Sequence, residues 1–169
     1  MRTLVSILAL GITFLSYSQE PNNQKRVVEL EDVLVTNVNT GYLSAVQDEN
    51  TPNEVALLQV VAANYDVRPN KDFDQKESKT FEVIFKNTSG SINAFYDSKG
   101  RIASAYERFK DILVPLSVQR HIYESHKDWT MVGNLYASSY EGTNLINRSY
   151  KIKLEKGDDK KNLIIHPPK

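Results

Sequence analysis

Four short polar turns constrain this chain more than any other feature. Asn87-Thr88-Ser89-Gly90, Asp97-Ser98-Lys99-Gly100, Glu141-Gly142-Thr143-Asn144 and the stretch from Glu155 to Asp159 each separate two segments rich in apolar and β-branched residues. Glycine, Asn and Asp tolerate the left-handed backbone that tight hairpins need. The flanking segments are Phe81–Phe85, Ile92–Tyr96, Arg101–Phe109, Met131–Tyr140, Leu145–Leu154 and Leu163–Ile165. In Leu145–Leu154, Tyr150, Ile152 and Leu154 recur with the period of two that puts them on one strand face. Strands joined in order by short turns make an antiparallel meander. Arg26 to Val38, rich in Val and Leu, reads as a further strand at the start.

Two helices are expected beside this sheet. Thr51 and Pro52 open one, with Thr51 as N-cap and Glu54 completing a capping box. Val55, Leu58, Ala62 and Tyr65 then recur on one face, and the helix ends near Asn64 to Asp66. Pro115 opens the second, marked by Val118, Ile122 and Trp129. Residues 39–50 read as a loop and 68–79 as a charged connection. The order of helix and then strands occurs twice, over 52–109 and 113–166. Pro52-x-x-Val55 is matched by Pro115-x-x-Val118. The expectation is an α+β fold: an antiparallel sheet with two helices on one face, built from two half-repeats.

Met1 to Ser18 has the form of a secretory signal: Arg2, an apolar run from Leu4 to Leu15, then small residues, with cleavage between Ser18 and Gln19. Residues 19–26 form a polar, disordered N-terminus, and 27–169 a single domain. The chain has 21 basic and 21 acidic residues and no cysteine. Losing Arg2 leaves a net charge of about −1. That balance speaks against holding a nucleic-acid backbone. No second apolar run reaches the roughly 20 residues of a membrane span. Without cysteine there is no disulfide, thiolate metal site or cysteine nucleophile.

The run Ala94-Phe95-Tyr96-Asp97-Ser98-Lys99-Gly100-Arg101-Ile102 resembles the PepSY-like domains of exported Bacteroidetes proteins, which share the β-lactamase-inhibitor-protein-like (BLIP-like) fold. Arg108-Phe109-Lys110, Leu113-Val114-Pro115 and Tyr150-Lys151-Ile152-Lys153-Leu154-Glu155-Lys156-Gly157 continue the likeness. Ser125-His126-Lys127-Asp128-Trp129 departs from it by lacking the family's aromatic-Pro pair. The resemblance implies a non-enzymatic module, periplasmic or at the cell surface, that binds or restrains an envelope protein. It implies no cofactor and no catalytic residue. A second segment, Val28 to Asn37, resembles a TonB box, though an edge strand of the domain is the expected role.

Residues in a pattern that supports catalysis or metal binding are few. His121 and His126 are five residues apart, about 140° around a helix, which is wrong for a shared metal. Ser117 and Ser125 lie near them without a nucleophile elbow. Asp72, Asp74 and Glu77 lack the spacing of a calcium loop. No phosphate-binding glycine motif occurs. The rival readings are a small periplasmic hydrolase using Ser125, His121 and an acid, and a structural subunit of an envelope complex. Nine tyrosines are explained first by ordinary β-propensity, and an aromatic contact surface is the functional alternative. Asp97, Lys99 and Arg101, Asn144, and exposed Tyr136 and Tyr140 are the expected partner-binding residues.

Overall fold

A computed structural model describes residues 26–28, 39–74, 76 and 79–167. The elements in chain order are β1 (Arg26–Val28), α1 (Thr40–Val46), α2 (Asn53–Asn64), β2 (Phe81–Lys86), β3 (Gly90–Tyr96), β4 (Ile102–Lys110), α3 (Leu116–Ser125), β5 (Thr130–Glu141), β6 (Asn144–Lys156) and β7 (Asp159–Ile165). The fold is α+β. Strands β2 to β7 form an antiparallel sheet in which spatial order follows chain order. The short β1 lies beside β2 and pairs with it in parallel, Val27 opposite Ile84. The signal segment, its Ser18/Gln19 cleavage point, the polar N-terminus to Lys25 and the remainder of the first strand, 29–38, lie outside the described residues. Among the described residues no helix is long and apolar enough to cross a membrane.

The expected turns close the hairpins. Asn87 accepts hydrogen bonds from the backbone N–H of Ser89 (2.9 Å) and Gly90 (2.8 Å) through Oδ1, while its amide donates to the Glu54 carbonyl at 3.2 Å. Gly100, Gly142 and Gly157 adopt φ of 75°, 66° and 59°, the left-handed region open to glycine.

Alternation sorts the strands into two faces. Ile92, Ala94 and Tyr96 of β3, Ala105, Glu107 and Phe109 of β4, Tyr136, Ser138 and Tyr140 of β5, and Arg148, Tyr150, Ile152 and Leu154 of β6 are all buried. Rows run straight across this inner face. Phe109, Tyr136 and Tyr150 are register partners, with ring centroids 6.1 and 5.2 Å apart in edge contacts. Each fully buried side chain of this size contributes about 1.5–3 kcal/mol.

Helix α2 lays Val55, Leu58 and Ala62 on this face as expected, with Gln59 and Ala63 beside them, while Tyr65, expected on the same stripe, is the C-cap residue. Tyr96 ties the strand to it by donating to the Ala62 carbonyl at 2.7 Å. Val118 and Ile122 of α3 join the same core.

Two details correct the sequence reading. First, residues 39–50 are not simply a loop, for α1 occupies 40–46 and buries Tyr42 and Val46. Second, the capping box does not form. Pro52 is the N-cap of α2 and makes no side-chain capping bond. Thr51 instead accepts the Asp48 N–H at 3.0 Å and donates to its carboxylate at 3.2 Å, closing a turn between the helices.

At Gly90 the space, not the dihedral, requires glycine. A Cβ there would stand 2.2 Å from the Arg108 carbonyl oxygen and 2.7 Å from the Phe109 Cα. Gly90→Ala must push β3 and β4 apart, and we expect a loss of more than about 3 kcal/mol in urea unfolding. Gly142→Ala meets no neighbour within 4 Å, and its strained φ costs about 1 kcal/mol. Equal losses in the two variants would contradict this packing.

Candidate functional site

The turn between β3 and β4 is organised by one carboxylate. Asp97 Oδ1 accepts the backbone N–H of Lys99 and of Arg101, each at 2.9 Å. Its Oδ2 accepts Arg101 Nε at 2.9 Å and Nη2 at 2.7 Å. Partial burial alone would raise the Asp97 pKa, but these bonds and the Arg101 charge outweigh it and hold the carboxyl below its ordinary range. The β5–β6 hairpin tip stands beside this turn. Gly142 donates its N–H to the Ala103 carbonyl at 2.9 Å, and Tyr140 donates its hydroxyl to the Gly142 carbonyl at 2.7 Å.

Helix α1 completes the surface. A cleft of about 560 Å³ is lined by its first turn, Asn39 to Tyr42, by Asp97 and Arg101, and by Tyr140 and Thr143. A second cleft, about 430 Å³, follows the other side of α1, where Ser44, Gln47 and Asp48 face Asn144, Asn147, Arg148 and His166. Thr143 lines both. The expected contact residues thus divide. Asp97, Arg101 and Tyr140 meet at the first cleft and Asn144 lies on the second, while Lys99 is exposed on its turn apart from either.

The tyrosine expectation needs correction. Tyr136 is 0% and Tyr140 5% exposed. Both fall in the inner phase of β5, facing the helices rather than solvent. Tyr140 reaches the cleft only as part of its wall, with its ring 5.1 Å from that of Tyr42. Among the described residues the exposed tyrosines are Tyr106 and Tyr123.

Beneath α1 lies a polar cluster that the sequence reading missed. Glu107 is 3% exposed and accepts four hydrogen bonds. Tyr42 donates at 2.7 Å, Ser138 at 2.7 Å, and Gln59 Nε2 reaches both carboxylate oxygens at 3.0 and 2.9 Å. Burial raises the Glu107 pKa above the ordinary 4.5, although the Tyr42, Ser138 and Gln59 bonds pull the other way. Burial, and then the Glu107 charge, raise Tyr42 well above 10.0, so it remains a donor. Glu107, Ser138 and Arg148 are register neighbours in one row. Arg148, also buried, bonds the Asp48 carboxylate and the Val46 carbonyl at the end of α1. One signal was available: Glu107 falls in apolar phase between Ala105 and Phe109, and Arg148 in phase with Tyr150 and Ile152.

Among the described residues no hydrogen bond joins Ser125 to the His121 ring. Ser125 Oγ donates to the His121 carbonyl at 2.7 Å, and its side-chain partner is His126, whose Nδ1 lies 2.8 Å away. His126 Nε2 faces Lys161 Nζ at 2.9 Å. A lysine thus stands where a triad places its acid. Asp72 and Asp74 are described and Glu77 is not; among the described residues no group of three His, Cys, Asp or Glu is placed to hold a metal.

Comparison of the chain with protein-family models, with curated proteins and with solved structures found no match.

A group whose folded pKa is raised contributes most stability at low pH and loses it as pH rises through that pKa. The thermal midpoint of the native chain, relative to Glu107→Gln, should therefore increase as pH is lowered from about 7.5 toward 5. Asp97 and Asp66, with lowered pKa values, weaken only at pH below their ordinary 3.8. A difference that stays constant over the interval would overturn this assignment to Glu107.

Proposed function

We propose that this chain is an exported, non-enzymatic module of the cell envelope that binds or restrains a protein partner through the paired clefts along α1. One observation carries the reading. Two turns from different hairpins, 97–101 and 141–144, converge with α1 on clefts that share Thr143. Loops held by a rigid sheet are the usual place for recognition. The charges there are already paired, Asp97 with Arg101 and Asp48 with Arg148. Recognition at these clefts therefore rests on shape and on Ser, Thr, Asn and Gln groups rather than on a strong field.

Export rests on the short apolar run Leu4 to Leu15 behind Arg2. The module is periplasmic or at the cell surface. The PepSY-like, BLIP-like character rests on the resemblance of residues 94–102 and on element order. A helix followed by three strands occurs twice, and each helix, α2 and α3, starts directly after a proline N-cap, Pro52 and Pro115. This favours two half-repeats sharing one sheet. The lysine beside His126, where a hydrolase would need an acid, favours binding over hydrolysis. No nucleic acid or cofactor has a role in this reading.

The test uses capture from envelope extract followed by purification of the captured protein. Thr143→Arg fills the junction of both clefts from an exposed turn, so the fold should persist. We expect at least tenfold weaker binding of the purified partner by calorimetry, with the thermal midpoint within a few degrees. A partner that binds Thr143→Arg and Arg101→Ala as tightly as the native chain would sink the assignment of the clefts.

A further inference from the structure

The near-zero net charge conceals a basic region. On the sheet face turned away from the core, Arg108 and Lys110 of β4 and Lys151 and Lys153 of β6 are all exposed. None of the four takes part in the ion pairs among the described residues. Strand β5 runs between them. Lys110 is in register with Leu135 and through it with Lys151, Arg108 with Ala137, and Lys153 with Gly133. Two ridges of positive charge therefore flank a floor of Gly133, Leu135 and Ala137. The ridges are two strand spacings apart, about 10 Å, and the two cations on each are about 7 Å apart. Lys86, exposed at the end of β2, extends the band beyond Arg108 across β3.

Carboxylates near this face are few or engaged. Asp111 accepts the Asn134 N–H at 3.1 Å, and the same oxygen stands over Gly133 beside the Lys153 side chain. Glu155 pairs with Lys160 at 3.3 Å, and Glu82, two strands away on β2, accepts the Asn93 amide at 3.0 Å. Asp111 offsets part of the charge at the Gly133 end and Glu141 is exposed at the far end of β5, so the four cations leave an excess of positive charge centred on Leu135 and Ala137.

We propose that this trough docks an extended polypeptide segment carrying acidic side chains at alternate positions. An extended chain repeats on one face about every 7 Å, the same interval as the cations along each ridge. Over Leu135 and Ala137 the floor is apolar and low enough for a backbone to approach, while Asp111 closes the Gly133 end. The aromatic pair of this face, Phe95 and Tyr106 with centroids 5.9 Å apart, lies on β3 and β4 outside the trough. The floor thus lacks the aromatic stacking platform by which single-stranded nucleic acids are held. The trough and the clefts along α1 are on opposite faces, so this docking is independent of the proposal for those clefts.

The probe is a fluorescein-labelled peptide of alternating Glu and Thr, about ten residues long, followed by fluorescence anisotropy. The native chain should bind it, and binding should weaken at least tenfold when salt is raised from about 50 to 500 mM. Lys110→Glu with Lys151→Glu should lower affinity more than tenfold, and the milder Lys110→Gln with Lys151→Gln should fall between. Both pairs are solvent-facing, and circular dichroism verifies the fold. Thr143→Arg should bind the peptide like the native chain. Twenty-nucleotide single-stranded DNA and phosphatidylglycerol vesicles serve as competing probes. Peptide affinity unchanged in both double variants, or tighter binding of the DNA or the vesicles than of the peptide, would overturn the proposal.

Discussion

A single buried carboxylate orders the helical side of this protein. Glu107 accepts from α1 through Tyr42, from α2 through Gln59 and from β5 through Ser138. A buried carboxyl group is tolerated only where its oxygens are hydrogen-bonded. Each of the three elements must therefore present its donor at one place. Loss of a donor leaves a buried carboxyl oxygen without its partner, at about 1–3 kcal/mol. Apolar contacts fix how much of α1 and α2 is buried; Glu107 fixes where along the sheet they stop.

The seating of α1 shows the consequence. Seven residues are too few for a stable isolated helix. Tertiary bonds hold it at both ends and in the middle. Asn39 bridges α2 and β4, donating to the Ala63 carbonyl at 3.2 Å and accepting the Ile102 N–H at 2.8 Å. Tyr42 bonds Glu107, and Arg148 receives the last turn through Val46 and then Asp48. A cation at a helix C-terminus is also favoured by the helix dipole. The clefts on either side of α1 thus inherit their shape from polar groups beneath the surface.

Legibility in the sequence followed the kind of signal each element carries. The hairpins were readable because Gly100, Gly142 and Gly157 punctuate them and alternation is local. The existence and approximate limits of β2 to β7, and both proline-initiated helices, followed. Helix α1 was not readable, since its stability comes from residues 20 to 100 positions away and not from periodicity. The phase of the β5 tyrosines was the instructive miss. Alternation shows that Tyr136 and Tyr140 share a face, but which face depends on their pairing with Phe109, Ala105 and Tyr150 across the sheet. Of the site, the two turns were anticipated, and Glu107 and Arg148 were visible only as polar residues in apolar phase. Charge segregation was invisible to a net count, because it needs the register that sets Lys110 opposite Lys151.

The strand order has a kinetic meaning. From β2 to β7 every strand pairs with its neighbours in sequence, so no strand must wait for a distant part of the chain before finding its partners. Sheets closed by short hairpins have low loop-closure cost and fold faster than those with long crossovers. The one long link inside the meander, from Lys110 to Thr130, contains α3 and so shortens its own search. A half-finished chain ending after β4 already holds three paired strands and the Glu107 carboxylate, with the donors from α1 and α2 behind it. Only Ser138 and Arg148 remain to arrive, which makes the second hairpin the step that locks α1 in place rather than the step that creates the sheet.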